Sequence, residues 1–363
     1  MTDINIKRTQ NSRINEVDWN NLGFGKIASD HIFVTDFIGG EWRDYRIEPY
    51  GPMPINPGNC TLHYGQTIFE GLKAFRTQAG HFNIFRPEMN GARMNRSAVR
   101  MCIPEFPVEH FVEAVKKIVE VDHEWVPRER GTSLYLRPFS FGTDDFLGVR
   151  PSQTYKLIIM TSPVAAYYEE GLNPVRIKVA TEYIRAAKGG TGSAKTAANY
   201  AASMKAAQEA KKEGFAQVLW LDGITREFVD EVGTMNIMFV IGDELITPPL
   251  DDGTILAGVT RDSVLTLARE FGMNVREHRL TIGDVTSAFE NGTLTEIFGT
   301  GTAAVISPVG ELVYGDRVMR INDSKIGPVA QKFYDTITGI QYGEIEDTHN
   351  WIVQVNADEM AHA

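Results

Sequence analysis

The chain has 363 residues, a formal net charge of −11 and 43% hydrophobic residues. This composition is that of an ordinary globular protein, and the length favours about two domains. The negative charge argues against nucleic acid or an anionic membrane as a main partner, because both bind clustered positive charge. Two cysteines, Cys60 and Cys102, are too few for a disulfide framework and have no metal-ligand spacing, so we expect buried thiols and no metal site.

The N-terminal segment, residues 1–19, has no apolar stretch of the kind found in signal peptides. Its acidic residues also argue against a transit peptide. No apolar run approaches the length of about 18 residues that a membrane-spanning helix needs. We therefore expect a cytoplasmic protein with no membrane partner.

The first half of the chain predicts a mixture of helices and strands. Apolar residues recur at helical spacing in 66–75, 87–101 and 108–125, and the second of these begins with a proline, which favours a first helical turn. Runs rich in β-forming residues predict strands at 132–139 and 154–162.

A polar stretch containing glycine and proline, residues 165–174, interrupts the apolar runs. Such a composition is typical of a boundary between domains. We predict a small N-terminal α+β domain at 1–166, an interdomain linker at 167–180 and a large C-terminal domain at 181–363, and the fold class is α/β.

The second half alternates strand-like and helix-like segments. One helix is rich in alanine and is followed by Gly214, a second has Thr260 as a candidate N-cap, and the dipeptide Gly242–Asp243 is typical of a hairpin turn. In chain order we predict a strand at 174–181, a helix at 199–214, a strand at 215–222, a hairpin at 235–248, a helix at 260–273 and a strand broken by two glycines at 293–307.

The stretch GGTGSAKTAANY, residues 189–200, places Lys195 among small side chains. One function for such a lysine is a phosphate loop, in which a glycine precedes the lysine. Here Ala194 stands in that position, although Asp222 could imitate the acid that holds magnesium in nucleotide-binding enzymes. The pattern is incomplete, so a phosphate-loop protein stays only as an alternative of a different class.

The other function is an imine with an aldehyde cofactor, since small neighbours leave room for a flat ring and burial favours the neutral amine of a lysine. Pyridoxal phosphate would also need an arginine for its phosphate, a carboxylate for its ring nitrogen and a hydroxyl for its phenolic oxygen. Arg93, Glu231 and Tyr200 are candidates for these three positions. Donor-rich turns at 258–264 and 299–303 could add backbone N–H groups.

Motifs along most of the chain resemble those of the branched-chain amino acid aminotransferases, which are pyridoxal-phosphate-dependent enzymes of fold type IV. The resemblance runs from about residue 30 to 315, and its order and spacing are closest to the longer, animal-like subfamily. Two shorter enzymes of the same fold, D-amino acid aminotransferase and aminodeoxychorismate lyase, are alternatives. The motifs are LHYGQTIFEGLKAFR, FRPEMNGARMNRSA, YLRPFSFGTDDFLGV, GGTGSAKTAANY, QVLWLDG, EVGTMNIMFV, LAGVTRDSV and EIFGTGTAAVISPV.

The resemblance implies a role for each matching residue. Lys195 would bind the cofactor as a Schiff base and move the proton during catalysis. Glu231 would pair with the pyridine nitrogen and Tyr200 with the phenolic oxygen. The phosphate and the rest of the cofactor would be bound by Arg93, Thr234, Val259, Thr260 and Thr302.

The resemblance also implies a substrate pocket. Arg137 would bind the second carboxylate of glutamate at the mouth of the pocket, and the backbone of Thr302 and Ala303 would bind the α-carboxylate. The aromatic lining would be Tyr64, Phe69, Tyr135 and Tyr167.

The implied reaction is reversible transfer of the amino group of L-leucine, L-isoleucine or L-valine to 2-oxoglutarate, by a ping-pong mechanism, in a homodimer. One departure from the animal enzymes is clear. Their Cys-x-x-Cys pair is replaced here by Ala304 and Ser307, so regulation by that thiol pair is not expected.

Overall fold

The computed structural model describes residues 3–165 and 172–356. They fall into two compact units, whose ranges are Met1–Tyr167 with Ala194–Ala197 and Gly339–Ala363, and Tyr168–Ser193 with Ala198–Thr338. Two short ranges therefore group with the first unit although they lie beyond the predicted linker at 167–180. That linker lies partly outside the described residues, and the domain boundaries at 166 and 181 stay predictions.

The described residues contain seven α-helices and eighteen β-strands. The helices are α1 Cys60–Tyr64, α2 Pro87–Arg100, α3 Val108–Val121, α4 Ala197–Lys212, α5 Val259–Glu270, α6 Ile282–Glu290 and α7 Pro328–Tyr342. The strands are β1 Asn5–Ile6, β2 His31–Ile38, β3 Glu41–Pro49, β4 Thr67–Phe69, β5 Leu72–Arg76, β6 Phe82–Phe85, β7 Ser133–Gly142, β8 Tyr155–Val164, β9 Val175–Val179, β10 Gln217–Leu221, β11 Val229–Val232, β12 Asn236–Ile241, β13 Glu244–Thr247, β14 Asn274–Glu277, β15 Leu294–Gly301, β16 Val305–Tyr314, β17 Arg317–Arg320 and β18 Ile352–Val355.

The first unit is built on a nine-stranded sheet with the order β1-β3-β2-β8-β7-β5-β6-β18, and β4 pairs with β7. One face of this sheet packs against α2 and α3, as the core cluster of Leu72, Leu134, Phe111 and Ile118 shows. Because side chains alternate across a strand, Tyr135 and its neighbours at odd positions of β7 point to the opposite face. The mixed α/β fold class is confirmed.

The predicted helix at 66–75 is wrong, because this segment forms β4 and β5. Both faces of β5 are buried: Leu72 and Ala74 belong to the core under the helices, and Lys73 and Phe75 are also buried. A strand buried on both faces has no alternation of polar and apolar residues, so its apolar spacing imitated a helix. The helices predicted at 87–101 and 108–125 are confirmed by α2 and α3.

The second unit contains another nine-stranded sheet, with the order β11-β10-β9-β16-β15-β12-β13-β14 and β17 paired with β16. Strands β9 and β10 are parallel neighbours, and α4 lies between them in the chain. The predicted hairpin is confirmed by antiparallel β12 and β13, whose turn residue Gly242 has a φ of +61°. Within residues 3–165 and 172–356, no helix is both long and apolar enough to cross a bilayer.

Three local predictions need correction. Helix α5 begins at Val259 with Gly258 as its N-cap, so Thr260 lies inside the first turn rather than capping it. Gly299 and Gly301 lie within β15, and the chain instead turns at 302–304. Cys60 is buried as predicted, but Cys102 is exposed.

Candidate active site

Lys195 is held through its backbone by two elements of the first unit. Its N–H donates to the hydroxyl of Ser97 on α2 at 2.9 Å, and its carbonyl accepts from the N–H of Phe69 at 3.0 Å. The next residue, Thr196, donates its hydroxyl to the carbonyl of Thr67 at 2.7 Å. These bonds fix the start of the Lys195 side chain, although the segment belongs to no helix or strand.

The structure brings Lys195 together with three predicted pocket residues. The Lys195 Nζ atom lies 4.5 Å from the centroid of the Phe69 ring. The Arg137 guanidinium lies over the rings of Phe69 and Tyr135, at 4.8 and 5.3 Å from their centroids. Its Nη2 donates to the Tyr135 hydroxyl at 3.0 Å, whereas its buried Nε has no hydrogen-bond partner among the described residues. The group therefore combines an amine, an aromatic surface and a cation with unmet hydrogen-bonding capacity.

Glycine is required beside this group. A Cβ atom on Gly71 would overlap the hydroxyl of Tyr135, so only glycine permits the strand to pass so close to that ring. The motif FEGLKAF thus places Phe69 against Lys195 and leaves space for Tyr135.

The structure does not bring every predicted pocket residue into this group. Tyr64 ends α1, is 44% exposed, and donates its hydroxyl to the carbonyl of Leu147. Tyr167 lies outside the described residues. The substrate role of both tyrosines stays a prediction.

Arg93 is buried as the phosphate prediction requires, but its guanidinium contacts a carboxylate. Its Nε and Nη2 donate to the two oxygens of Glu70, each at 2.8 Å. Both side chains are almost fully buried, with 4% and 0% exposure. Glu70 was not identified from the sequence, because nothing in the sequence shows which buried cation meets which buried acid.

Glu231, in the second unit, is a buried carboxylate held by two donors. The backbone N–H of Leu256 donates to its Oε1 at 2.7 Å, and Arg185 Nε lies 2.9 Å from its Oε2. Arg185 also donates to the carbonyls of Thr254 and Gly192, at 2.6 and 3.2 Å. Arg185 was missed in the sequence, where the only signal was a single arginine in the stretch EYIRAAKGG.

A small pocket of about 10 Å³ lies beside Glu231 in the second unit. It brings together three of the residues predicted to bind a cofactor: Glu231 at a buried wall, Tyr200 on α4 and Thr234 in the turn between β11 and β12. The remaining lining residues are Arg185, Asn199, Ser203, Gly233 and Leu256.

Two further predicted donor sets lie at loop ends of the second unit. Val259 and Thr260 are the first two residues of α5, and the N–H groups of a first helical turn have no acceptor within the helix. Thr302 and Ala303 lie in the turn between β15 and β16, with backbone N–H groups at a chain reversal. Both sets are suited to binding anions.

Asp222, the acid that supported the phosphate-loop alternative, has a structural role instead. The Asp222 carboxylate accepts hydrogen bonds from the backbone of Ile224, Thr225, Glu227 and Phe228, so it closes the turn between β10 and β11. Burial alone would raise the pKa of Asp222, but these bonds hold it well below its usual range. No group of three potential metal ligands occurs within the described residues.

The family of this chain is shown by its match to the model of a known family. The model of the amino-transferase class IV family matches residues 67–312. This chain belongs to the class IV aminotransferase family.

Relatives and solved structures agree with that assignment. This class IV aminotransferase is 51% identical to branched-chain-amino-acid aminotransferase 2 of Bacillus subtilis, over 94% of each chain. The branched-chain amino acid aminotransferase of Escherichia coli has the same fold, with a TM-score of 0.76 and 28% identity over 90% of this chain and 99% of that one. The branched-chain amino acid aminotransferase of Thermobaculum terrenum, solved in its PLP-form, gives a TM-score of 0.73 and 25% identity over 90% of this chain and 98% of that one.

The predicted family and fold type are therefore confirmed. As a fold type IV aminotransferase, the protein is an enzyme that exchanges amino groups between amino acids and oxo acids.

Proposed function

We propose that this aminotransferase transfers the amino group of L-leucine, L-isoleucine or L-valine reversibly to 2-oxoglutarate, with pyridoxal 5'-phosphate as cofactor. The observation that carries the proposal is the pocket in which the buried Glu231 carboxylate and Tyr200 occur together. A protonated pyridine nitrogen requires such a carboxylate, and a phenolic oxygen requires such a hydroxyl. The branched-chain enzymes named above support the choice of substrate.

The donor set in the structure fits this cofactor. Arg185 contacts Glu231 at 2.9 Å and favours its ionised form, which the ring nitrogen needs. Arg93, Val259, Thr260 and Thr302 supply a guanidinium, a helix N-terminus and a turn, which are the groups that bind phosphate. When bound, pyridoxal phosphate would supply an aldehyde and an electron-withdrawing ring, which is the chemistry that a ping-pong transfer of an amino group needs.

Lys195 is the catalytic residue of the proposal. Its Nζ would hold the cofactor, and its amine would accept the proton that leaves the substrate α-carbon. The backbone bonds of Lys195 to Ser97 and Phe69 limit where this amine can lie. Restricting a catalytic group in this way lowers the entropic cost of reaching the reactive geometry.

Two kinds of substrate must be accepted at one place. Phe69 and Tyr135 offer an aromatic surface for an apolar side chain, and a methylene-sized difference on such a surface changes binding by about 1–3 kcal/mol. Arg137, whose Nε has no hydrogen-bond partner in the described part of the chain, offers donors to the second carboxylate of glutamate. The backbone of Thr302 and Ala303 is proposed to bind the α-carboxylate, and the roles of Tyr64 and Tyr167 in the aromatic lining stay predictions.

In this proposal, the active form of the enzyme is a cytoplasmic homodimer. The first unit exposes large apolar side chains on α1 and on the segment 146–149, and the bond between Tyr64 and Leu147 joins these two segments. An exposed apolar patch of this kind favours association with another protein surface. We assign it to a second copy of the chain. The exposed residues of this patch are Leu62, Tyr64, Phe146, Leu147 and Val149.

The visible absorbance spectrum of the purified protein tests the activity. We expect a yellow protein whose absorbance changes on addition of L-isoleucine and returns on addition of 2-oxoglutarate, with both changes abolished in Lys195→Ala. D-isoleucine serves as the stereochemical control and should leave the spectrum unchanged. A protein that stays colourless after incubation with pyridoxal phosphate would overturn the proposal, and a response to D-isoleucine alone would redirect it to D-amino acids.

A further inference from the structure

Glu70 is a fully buried carboxylate that accepts hydrogen bonds from four donors in the first unit. Arg93 Nε and Nη2 donate to Oε1 and Oε2, each at 2.8 Å. Asn90 Nδ2 and the backbone N–H of Gly71 also donate to Oε2, at 2.7 and 3.1 Å. Its exposure is 0%, so bulk solvent does not reach either oxygen.

This environment keeps Glu70 ionised despite its burial. Burial on its own would raise the pKa of Glu70, but the charge and hydrogen bonds of Arg93, the charge of Lys195 and the bond from Asn90 together lower it. A buried ion of this kind is costly unless its partners are well placed. A buried apolar pair would stabilise the unit at least as well, so the charge calls for a reason other than stability.

The geometry of the pair restricts how Arg93 can be oriented. Glu70 binds the guanidinium along the edge formed by Nε and Nη2, through one N–H donor of each nitrogen. A planar guanidinium that is hydrogen-bonded along one edge cannot rotate without breaking both of these hydrogen bonds. The other N–H groups of Nη1 and Nη2 are thereby held in one direction.

One face of helix α2 contributes both to the Glu70–Arg93 pair and to the hydrogen bond that holds the backbone of Lys195. Asn90, Arg93 and Ser97 lie at positions i, i+3 and i+7 of α2, which places them on one face. The first two contact Glu70, and the third accepts from the backbone N–H of Lys195. One face of α2 therefore positions both Arg93 and the catalytic lysine.

We propose that Glu70 is a positioning residue, which fixes the Arg93 guanidinium in the orientation that binds the phosphate of the cofactor. This inference rests on the proposed function, because it assigns Arg93 to phosphate. Asn90 supports the same arrangement through its bond to Glu70 Oε2. Glu70 itself contacts Arg93 rather than the cofactor.

Dissociation constants of two ligands that differ only in the phosphate group test the proposal. Pyridoxal phosphate and pyridoxal are titrated against the full-length protein and Glu70→Gln, and binding is followed by absorbance. We expect Glu70→Gln to bind pyridoxal phosphate at least about tenfold more weakly, and pyridoxal with little change. Equal affinities for pyridoxal phosphate, or the same loss for both ligands, would overturn the proposal.

Two further variants keep the test decisive if Glu70→Gln folds poorly. Asn90→Ala removes one donor to Glu70 without leaving a buried charge unpaired, and we expect a smaller loss that again affects only pyridoxal phosphate. In an Arg93→Lys background, Glu70→Gln should cause no additional loss, because the fork it positions is absent. An unchanged affinity for pyridoxal phosphate in Asn90→Ala, or an additional loss in the Arg93→Lys background, would contradict the proposal.

A matched control separates positioning from general destabilisation. Asp122 is another buried carboxylate of the first unit, 2% exposed and bonded to His31. Asp122→Asn should lower the melting temperature and leave the ratio of the two dissociation constants unchanged. Failure of the proposed function would be seen separately, because the unaltered protein would then bind neither ligand through Lys195.

Discussion

The hydroxyl of Ser97 accepts a hydrogen bond from the backbone N–H of Lys195, at 2.9 Å. Ser97 is fully buried, so bulk solvent does not reach this hydrogen bond. Ser97→Ala leaves the N–H without its acceptor at a cost of about 1–3 kcal/mol, and lets the lysine segment shift. We expect kcat to fall about tenfold or more, measured by steady-state kinetics with L-leucine and 2-oxoglutarate.

Ser140 provides the matched control for Ser97. It is equally buried in the first unit, but within residues 3–165 and 172–356 its hydroxyl has no hydrogen-bond partner. Ser140→Ala should leave kcat unchanged and the free energy of unfolding equal or slightly higher. Equal kinetic effects of the two substitutions would show that the Ser97 bond does not position Lys195.

The free energy of unfolding should depend strongly on Arg185, because this residue is the cation paired with the buried carboxylate of Glu231. Arg185→Met leaves a buried carboxylate without its cation, and breaking a buried pair in this way costs about 3–5 kcal/mol of unfolding free energy. The exposed pair of Arg317 and Glu290 is the control, because Arg317→Met should cost no more than about 1 kcal/mol. Urea unfolding followed by circular dichroism measures both.

The double variant Arg185→Met with Glu231→Gln tests the cause of that loss. Removing the charge of Glu231 should restore much of the stability, because no unpaired buried ion remains. Activity should stay low, since the pyridine nitrogen then has no carboxylate. Recovery of activity in the double variant would contradict the role proposed for Glu231.

Arg137 should discriminate between the two classes of substrate. Arg137→Met removes the donors for the second carboxylate and keeps an apolar side chain over Phe69 and Tyr135. We expect the KM for 2-oxoglutarate to rise about tenfold or more and the KM for L-leucine to change little. A parallel rise in both KM values would show that Arg137 supports the pocket without selecting the dicarboxylate.

The buried carboxyl group of Asp230 should make the free energy of unfolding depend on pH. Burial first, and then the charge of Glu231, raises the pKa of Asp230 to about 7, with Arg185 and Arg279 opposing the rise and Asp222 adding to it. The folded protein therefore keeps this proton to a higher pH than the unfolded chain does. The contribution of Asp230 to stability is greatest below its ordinary pKa and is lost as the pH rises through about 7.

Asp230→Asn removes the carboxyl group, and with it the loss of stability that Asp230 causes as the pH rises. We expect the variant to be more stable than the unaltered protein above neutral pH, by about 2 kcal/mol, and the difference to shrink toward acidic pH. The free energy of unfolding in urea, measured at several pH values, checks this. A difference that grows toward acidic pH would have the opposite sign and would contradict the assignment.

Strongly patterned segments were predictable from local sequence. Helices α2, α3 and α4 and the β12–β13 hairpin occur where spacing, alanine content and a Gly-Asp turn indicated them. The segment 66–75 was misassigned, since β5 is buried on both faces and its apolar residues show no alternation. The candidate residues Tyr200, Glu231 and Thr234 were named from motifs, and they line one pocket.

The sequence by itself determined the family, the lysine and the types of residue that surround it, because these follow from motifs that are continuous in the chain. Only the tertiary structure decided that Arg93 meets Glu70 and that Arg185 meets Glu231. Those partners are 23 and 46 residues apart (93 − 70 and 231 − 185), and no local pattern encodes such a pairing. A buried charge is tolerated only where folding brings an opposite charge into contact with it, so its partner becomes identifiable only in the folded chain.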